Sequence, residues 1–287
     1  MLDKLSISEM SDISIWGYSI PCECLSVAEA IYLRDMPLDL PTVDWVCEEL
    51  DRIWKEFGLD NRRELQQQSI GAYYGHPVWV MNGIFSVRDP ASQSHRTAIA
   101  RYLQGAGVKL VADYGGGFGE LARAVARAIP DGEISLVEPF PSLVGVEGLK
   151  SVPQIKLVSS LSTEGYEAII AQDVLEHVED PIKLASELAG SVHIGGKIIF
   201  ANCFYPVIQC HLPATFHLRH TFPIVMKALG LRFVGLVDGA VHAQVFERVG
   251  QLSLSNARRA DKVSRLIGPV LNHGRLIQTT IKRFFFQ

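Results

Sequence analysis

Apolar and polar positions form their clearest pattern between residues 109 and 139. An apolar run ends at Asp113, glycines occupy positions 115, 116, 117 and 119, and apolar residues then recur at helical spacing over 121–129. A second apolar run stops at Glu138. The pattern predicts a strand, a glycine turn, a helix and a second strand, because a parallel pair of strands requires a crossover of this kind.

The same alternation continues along the chain. Further apolar runs predict strands at 155–158, 166–171, 197–202, 231–237 and 243–249. Helical spacing predicts helices at 92–103, 143–149 and 223–229, and Asp180-Pro181 is a typical helix start. Strands and helices in this order predict an α/β fold whose seven-stranded sheet is doubly wound, with helices on both faces.

Both flanks of this core have patterns of their own. Apolar residues over 43–57 recur every three or four positions until Gly58, which predicts an amphipathic helix. Residues 1–38 lack clear periodicity and are expected to form an irregular or partly helical arm, whereas the aromatic-rich stretch 73–83 is expected to be a hydrophobic joint. We predict a mostly helical cap at 1–89, a core domain at 90–250 and a basic, amphipathic helical tail at 251–287.

The glycine turn and the acid that follows the second strand indicate a nucleotide-type ligand. Glycine allows a sharp bend and a close approach of the backbone to a ligand. Glu138 lies beside this turn, where its carboxylate can accept hydrogen bonds from a ribose diol. A dinucleotide fingerprint needs a third glycine where this chain has Glu120, whose charge repels a pyrophosphate. An adenosine-containing ligand is predicted, and an NAD(P)-dependent oxidoreductase is the less favoured alternative.

The spacing Asp113-x-Gly115-x-Gly117-x-Gly119 resembles the first motif of class I S-adenosylmethionine (SAM) methyltransferases. This resemblance implies that Asp113 and the backbone of Gly115, Gly116 and Gly117 hold the amino-acid part of SAM, while Glu138 holds the ribose. Many family members bind adenine with an acid after the third strand, where this chain has Ser159 and Ser160. The implied fold over residues 90–250 is a Rossmann-like sheet with a reversed last strand.

A second motif follows the fourth predicted strand and reads Gln172-Asp173-Val174-Leu175-Glu176-His177-Val178. It looks like the fourth motif of small-molecule methyltransferases, including those of ubiquinone biosynthesis and sugars. The likeness implies that Gln172 and Asp173 contact the cofactor and that His177 lies near the transferred methyl group. Asp173, Glu176 and His177 also share one face if the segment is helical, where they can hold Mg²⁺. We favour the alternative without a metal, in which they orient the loop by hydrogen bonds.

The loop at 205–221 covers the acceptor pocket in related folds, and it carries His211, His217 and His220. A histidine with a pKa near neutrality can deprotonate an acceptor hydroxyl, so each is a candidate base, with packing as the competing interpretation. Zinc is not favoured because no carboxylate or paired cysteine accompanies the three at metal spacing. The candidate substrate-binding residues are polar side chains of this loop and of the aromatic-rich stretch, namely Tyr73, His76, Tyr205 and Arg219.

Composition narrows the class of protein. Hydrophobic residues make up 48% and charged residues 20%, as in ordinary soluble domains, and no apolar run approaches the roughly 20 residues that span a bilayer. The five cysteines are an odd number without metal spacing, which argues against a disulfide framework. Because residues 1–20 lack a basic start and an apolar core, a cytoplasmic location is expected.

Charge is distributed unevenly along the chain. Residues 1–70 carry a net charge of −8 and residues 251–287 a net charge of +6. We expect the tail to pack against the acidic front of the same chain or of a second copy in a homodimer, with peripheral membrane contact as the alternative. Nothing in this distribution indicates nucleic-acid binding. The predicted function is SAM-dependent methyl transfer to an oxygen, nitrogen or carbon of a small metabolite of the sugar or secondary-metabolite type, and a non-catalytic SAM-fold binding protein is the remaining alternative.

Overall fold

The computed structural model describes the backbone of residues 12–285 and the side chains of residues 12–273. The amino-terminal region begins with a hairpin of two short strands, β1 (Ile13–Ile15) and β2 (Tyr18–Ile20). Four helices follow, α1 (Val27–Arg34), α2 (Val43–Glu56), α3 (Gln67–Tyr74) and α4 (Val78–Arg88). We call residues 12–88 the cap.

The sequence predicted part of the cap correctly. Helix α2 confirms the amphipathic pattern over 43–57, and it begins where the Thr42 hydroxyl accepts a hydrogen bond from the Trp45 amide at 3.3 Å. The expected irregular arm instead contains the hairpin and α1, since strands of three residues are too short to produce a recognisable period. The expected joint at 73–83 is the end of α3 and the first half of α4. Residues 1–11 of the arm lie outside the described residues.

The rest of the chain forms a sheet flanked by helices. Its strands are β3 (Leu110–Tyr114), β4 (Glu133–Val137), β5 (Ile155–Leu157), β6 (Tyr166–Gln172), β7 (Val192–Ala201), β8 (Leu231–Val237) and β9 (Ala240–Arg248). Its helices are α5 (Pro90–Gly105), α6 (Glu120–Ala128), α7 (Leu143–Leu149), α8 (Pro181–Ser191), α9 (Phe222–Leu229) and α10 (Leu254–Phe285).

The strand order in the sheet is β5-β4-β3-β6-β7-β9-β8. Strands β3 to β7 pair in parallel, whereas β9 runs antiparallel to both β7 and β8. The predicted seven-stranded, doubly wound sheet with a reversed last strand is therefore confirmed. Because the chain leaves β3 to one side toward β4 and returns on the other side at β6, the carboxyl ends of these strands flank a crevice, the usual ligand site of such sheets.

Alternate side chains of each strand enter two different cores, as the pleat of a strand requires. In β6, Ile170 packs with α5 and α6 on one face, while Ile169 and Ala171 pack with α8 and α9 on the other. All three side chains are fully buried. This two-sided burial explains why β6 reads as a continuous apolar run, and it fixes the end of the strand where the second motif begins.

The cap has its own apolar core, and that core reaches the crevice. Its members include Trp54, Tyr73 and Met81, which pack with Phe118 of the glycine turn. Helix α4 comes so close that a Cβ added to Gly83 would lie 2.6 Å from the Phe118 ring. The cap therefore contacts the glycine turn directly.

Helix α10 packs against α8, α9 and a 3-10 segment at Pro213–Arg219. Near its start, Arg258 forms an ion pair with Asp180, the residue that caps α8. The expected amphipathic tail is thus one long helix over 254–285, and its last two residues lie outside the described part of the chain. Among the described residues, no helix combines the length and the hydrophobicity needed to cross a membrane.

Candidate functional site

The glycine turn connects β3 to α6 at the crevice. Gly115, Gly117 and Gly119 have φ angles of 72°, 55° and 77°, a region where a Cβ is strained. Gly116 has an ordinary φ, but a Cβ there would lie 2.2 Å from the Leu136 side chain. At Gly117 no described atom lies within 4 Å of a built Cβ, so this position faces open space in the crevice.

Asp113 lies at the end of β3 beneath this turn and is almost completely buried, with 1% exposure. Burial, followed by the negative charge of Glu138, raises the pKa of Asp113 to about 7. Its Oδ2 atom has no hydrogen-bond partner among the described residues. A buried carboxylate oxygen without a donor can receive a donor, such as an ammonium group, from a ligand.

Glu138 follows β4 and reaches across to the turn. Its Oε2 atom accepts a hydrogen bond from the Gly117 amide at 2.7 Å, and its Oε1 atom accepts one from the Phe140 amide at 2.9 Å. Asp113, the glycine turn and Glu138 therefore meet at one place, as the sequence predicted. The carboxylate also brings negative charge to the amides that would otherwise attract a phosphate.

The neighbouring strand ends carry the other predicted cofactor residues. Ser159 and Ser160 follow β5 and are exposed to solvent. Gln172 ends β6 and donates a hydrogen bond to Asp173 at 3.2 Å. Asp173 is exposed and has a φ of 52°, an unusual value for a residue with a side chain.

The structure corrects the expected helical face of Asp173, Glu176 and His177. Residues 173 and 174 are not helical, and only a short 3-10 turn forms at Leu175–His177. The positive φ of Asp173 directs the chain away from a helix, so Asp173 is exposed whereas Glu176 is fully buried. The three side chains therefore do not converge on one helical face.

Glu176 and His177 instead converge with His211 of the following loop. One ligand atom from each of the three residues lies within 4.8 Å of the others. The two imidazole rings are perpendicular, with centroids 4.8 Å apart. Burial lowers the pKa of His177 to about 3 and also lowers that of His211, while burial and then the charge of Asp173 raise the pKa of Glu176. The sequence prediction missed this cluster because His211 is 34 residues beyond His177.

The segment 203–212, which we call the acceptor loop, is held by the cap. The Gln209 amide donates a hydrogen bond to Asp51 at 2.5 Å, and Asn61 donates one to the Gln209 carbonyl at 2.6 Å. Tyr205 lies near the start of this loop, and the Cζ atom of Arg219 lies 4.6 Å from the centroid of its ring, so these two candidates do meet. Arg219 is exposed and free to approach an anionic group from solvent.

The other two histidines differ in their surroundings. His217 is buried beneath α10, and its Nε2 atom lies 2.6 Å from the Asp261 carboxylate. This contact makes His217 part of the packing of α10 and corrects its expected position at the acceptor pocket. His220 is half-buried at the end of the same 3-10 segment.

Two other candidates, Tyr73 and His76, lie away from the expected substrate pocket. Tyr73 is fully buried against Trp54 in the cap, and the ring of His76 packs against Phe57, so neither side chain lines the crevice. The neighbouring Tyr74 does, because it stacks on Phe140 with centroids 5.2 Å apart. The sequence offered no way to choose between adjacent tyrosines at the end of a helix.

Comparison with known proteins supports the fold assignment. No model of a protein family matches the chain, and no curated protein matches its sequence. Among solved structures, an O-methyltransferase family protein from Burkholderia thailandensis is similar with a TM-score of 0.51, 16% identity and 75% of either chain covered. The chain therefore has the fold of class I SAM-dependent methyltransferases.

Two further structures have lower scores. Human N-acetylserotonin methyltransferase has a TM-score of 0.49 and 17% identity, covering 72% of this chain and 67% of its own. The CurJ carbon methyltransferase has a TM-score of 0.45 and 12% identity. This chain spans just over half of CurJ, since 56% of either chain is covered.

Proposed function

We propose that this protein transfers the methyl group of SAM to an oxygen, nitrogen or carbon nucleophile of a small metabolite. The observation that carries the proposal is the negative charge of the crevice. Asp113 and Glu138 both face the glycine turn, and Glu138 already accepts a hydrogen bond from the Gly117 amide. SAM is cationic at its sulfonium and ammonium groups and has no phosphate, so it suits this site better than a dinucleotide does.

The neighbouring residues are consistent with the rest of the cofactor. Glu138 can exchange its amide partners for the two ribose hydroxyls, each of which donates a hydrogen bond to a carboxylate oxygen. Phe140 lies two residues further and has 47% of its surface exposed, which offers an apolar ring face to a purine. Ser159 and Ser160 lie beyond it at the end of β5 and can contact the adenine edge.

In this proposal the acceptor binds near the second motif. Tyr205 and Arg219 supply an aromatic ring and a positive charge there, which favours a metabolite with a ring and an anionic or polar group. Since the sulfonium supplies the driving force, the protein mainly aligns the nucleophile, the methyl carbon and the sulfur. Sugar-type and secondary-metabolite acceptors remain our first choice.

The proposal also includes a cytoplasmic location and a homodimeric assembly. The five cysteines are free thiols, the state that a reducing compartment such as the cytoplasm maintains. Helix α10 exposes Val263, Leu266 and Val270, an apolar surface that a second copy of the chain can cover in a homodimer. Size-exclusion chromatography with light scattering tests this assembly directly.

Calorimetric titration with S-adenosylhomocysteine and with NAD tests the cofactor assignment. We expect binding of the first ligand alone, and a loss of about tenfold to a hundredfold in the variant Glu138→Gln, because a charge-assisted hydrogen bond contributes about 1.5–3 kcal/mol. The control is Glu147→Gln, which removes an exposed carboxylate of α7 that pairs with Lys150. Binding of NAD alone would refute the proposal.

Incubation with methyl-labelled SAM and a panel of small acceptors then distinguishes an enzyme from a binding protein. Label should enter an acceptor in the wild-type sample and not in the Glu138→Gln sample at limiting SAM. Binding without transfer to any acceptor class would favour the non-catalytic alternative.

A further inference from the structure

We infer that Glu176, His177 and His211 form a binding site for one divalent transition-metal ion. Their ligand atoms lie within 4.8 Å of one another, although the residues come from the turn after β6 and from the acceptor loop. The inference does not depend on the proposed methyl transfer. It rests on the hydrogen bonds and the burial of the three side chains.

Both imidazoles are oriented by a backbone carbonyl. The Nδ1 atom of His177 lies 3.1 Å from the Cys210 carbonyl, and the Nδ1 atom of His211 lies 3.0 Å from the Tyr205 carbonyl. A carbonyl only accepts hydrogen bonds, so each Nδ1 carries the proton and donates it. In a neutral imidazole, Nε2 then keeps a lone pair. Metal-binding histidines in proteins are oriented by this type of backbone contact.

Glu176 supplies a buried carboxyl ligand that lacks a second partner. Its side chain is fully buried, and Oε1 accepts a hydrogen bond from the Cys203 amide at 2.5 Å. Among residues 12–273, no donor contacts Oε2. An unpaired carboxylate oxygen in the protein interior is costly, and a cation removes that cost. A purely supporting role for Glu176 leaves this oxygen unexplained.

The donor set selects the class of metal. Two imidazoles and one carboxylate suit Zn²⁺ and the neighbouring transition metals, whereas Mg²⁺ and Ca²⁺ prefer oxygen ligands alone. Ligands of a tetrahedral zinc ion lie about 3.3 Å apart, given bond lengths of about 2.0–2.2 Å, so binding draws the three atoms together by about 1.5 Å at most. Three protein ligands leave one coordination position open.

The test is metal titration of the full-length protein after treatment with a chelator. We expect one equivalent of Co²⁺ to bind and give the intense visible absorption of a four-coordinate ion, and Zn²⁺ to displace it. Glu176→Gln keeps an acceptor for the Cys203 amide, and His211→Ala removes one imidazole. Each should weaken Zn²⁺ binding by at least about 100-fold, since even the loss of a residue that only orients a ligand costs 10–100-fold.

The matched control is His193→Ala, which removes an exposed histidine outside the cluster. It should bind Zn²⁺ like the wild type, and far-ultraviolet circular dichroism checks that every variant is folded. Absence of stoichiometric metal binding in the wild type would overturn the inference. Equal Zn²⁺ affinity in the wild type, Glu176→Gln and His211→Ala would do so as well.

Discussion

Replacement of Gly117 by alanine separates cofactor binding from folding more cleanly than any other change in the glycine turn. The new methyl group meets no described atom within 4 Å, so the folded protein has room for it. The remaining cost is the positive φ of 55°, which amounts to about 1–2 kcal/mol for a residue with a Cβ. In a chain of this size, that cost lowers Tm by about 2–8 °C.

The effect on the ligand should be larger than the effect on stability. In the proposed site the methyl group occupies open space next to the amide that contacts Glu138, where the cofactor would lie. We expect the Kd for S-adenosylhomocysteine to rise at least tenfold, equivalent to about 1.4 kcal/mol or more. Isothermal titration calorimetry measures the Kd, and differential scanning calorimetry measures Tm on the same sample.

The control is Gly107→Ala. Gly107 has a similar φ of 71° and no described atom within 4 Å of its Cβ position, but it precedes the amino end of β3, whereas the glycine turn follows the carboxyl end. It should lose the same few degrees of Tm and bind normally. Unchanged affinity in Gly117→Ala, or an equal loss of affinity in both variants, would refute the assignment of the crevice.

Three further outcomes follow from the structure. Gly83→Ala places a Cβ 2.6 Å from the Phe118 ring, so it should lower the free energy of urea unfolding by about 1–3 kcal/mol and weaken cofactor binding. Its control, Gly71→Ala, lies in a helix with open space around the new Cβ and should raise the free energy of unfolding by about 0.5–1 kcal/mol. His217→Ala removes the buried contact with Asp261 and should destabilise by about 1–3 kcal/mol with no change in cofactor Kd; a raised Kd would contradict our placement of His217. The pKa of Asp113 is raised to about 7, and a ligand ammonium favours its ionised form. Cofactor affinity should therefore fall by up to about tenfold per pH unit below pH 7 and level off above it. The variant Asp113→Asn should bind weakly at every pH, and an identical pH profile in the variant and the wild type would contradict this role.

The sequence predicted the sheet and the glycine turn because both depend on local patterns. Buried parallel strands appear as apolar runs, and Asp113 and Glu138 are fixed at the ends of adjacent strands by that regular geometry. The short hairpin of the cap escaped prediction, since its three-residue strands derive their order from packing against the cap core.

The candidate catalytic residues were harder to predict because loops place them. Asp173 has a positive φ just before the 3-10 turn that contains the buried Glu176, and the sequence gives no sign of a positive φ at an aspartate. His217 and His211 differ by six positions, yet one packs under α10 and the other joins Glu176 and His177. Contacts between segments that are distant in the chain determine where each histidine lies, and the spacing of residues in the sequence does not reveal those contacts.

The two hydrogen bonds that join Gln209 to Asp51 and Asn61 have a consequence for the construction of chimaeras. They connect side chains of the cap with the backbone of the acceptor loop, more than 140 residues away in the chain. Exchange of the cap alone between relatives would discard these side chains while keeping the loop that they position. A cap and its acceptor loop therefore have to be transplanted as one unit, and recombination that separates them should yield folded proteins with an altered acceptor preference.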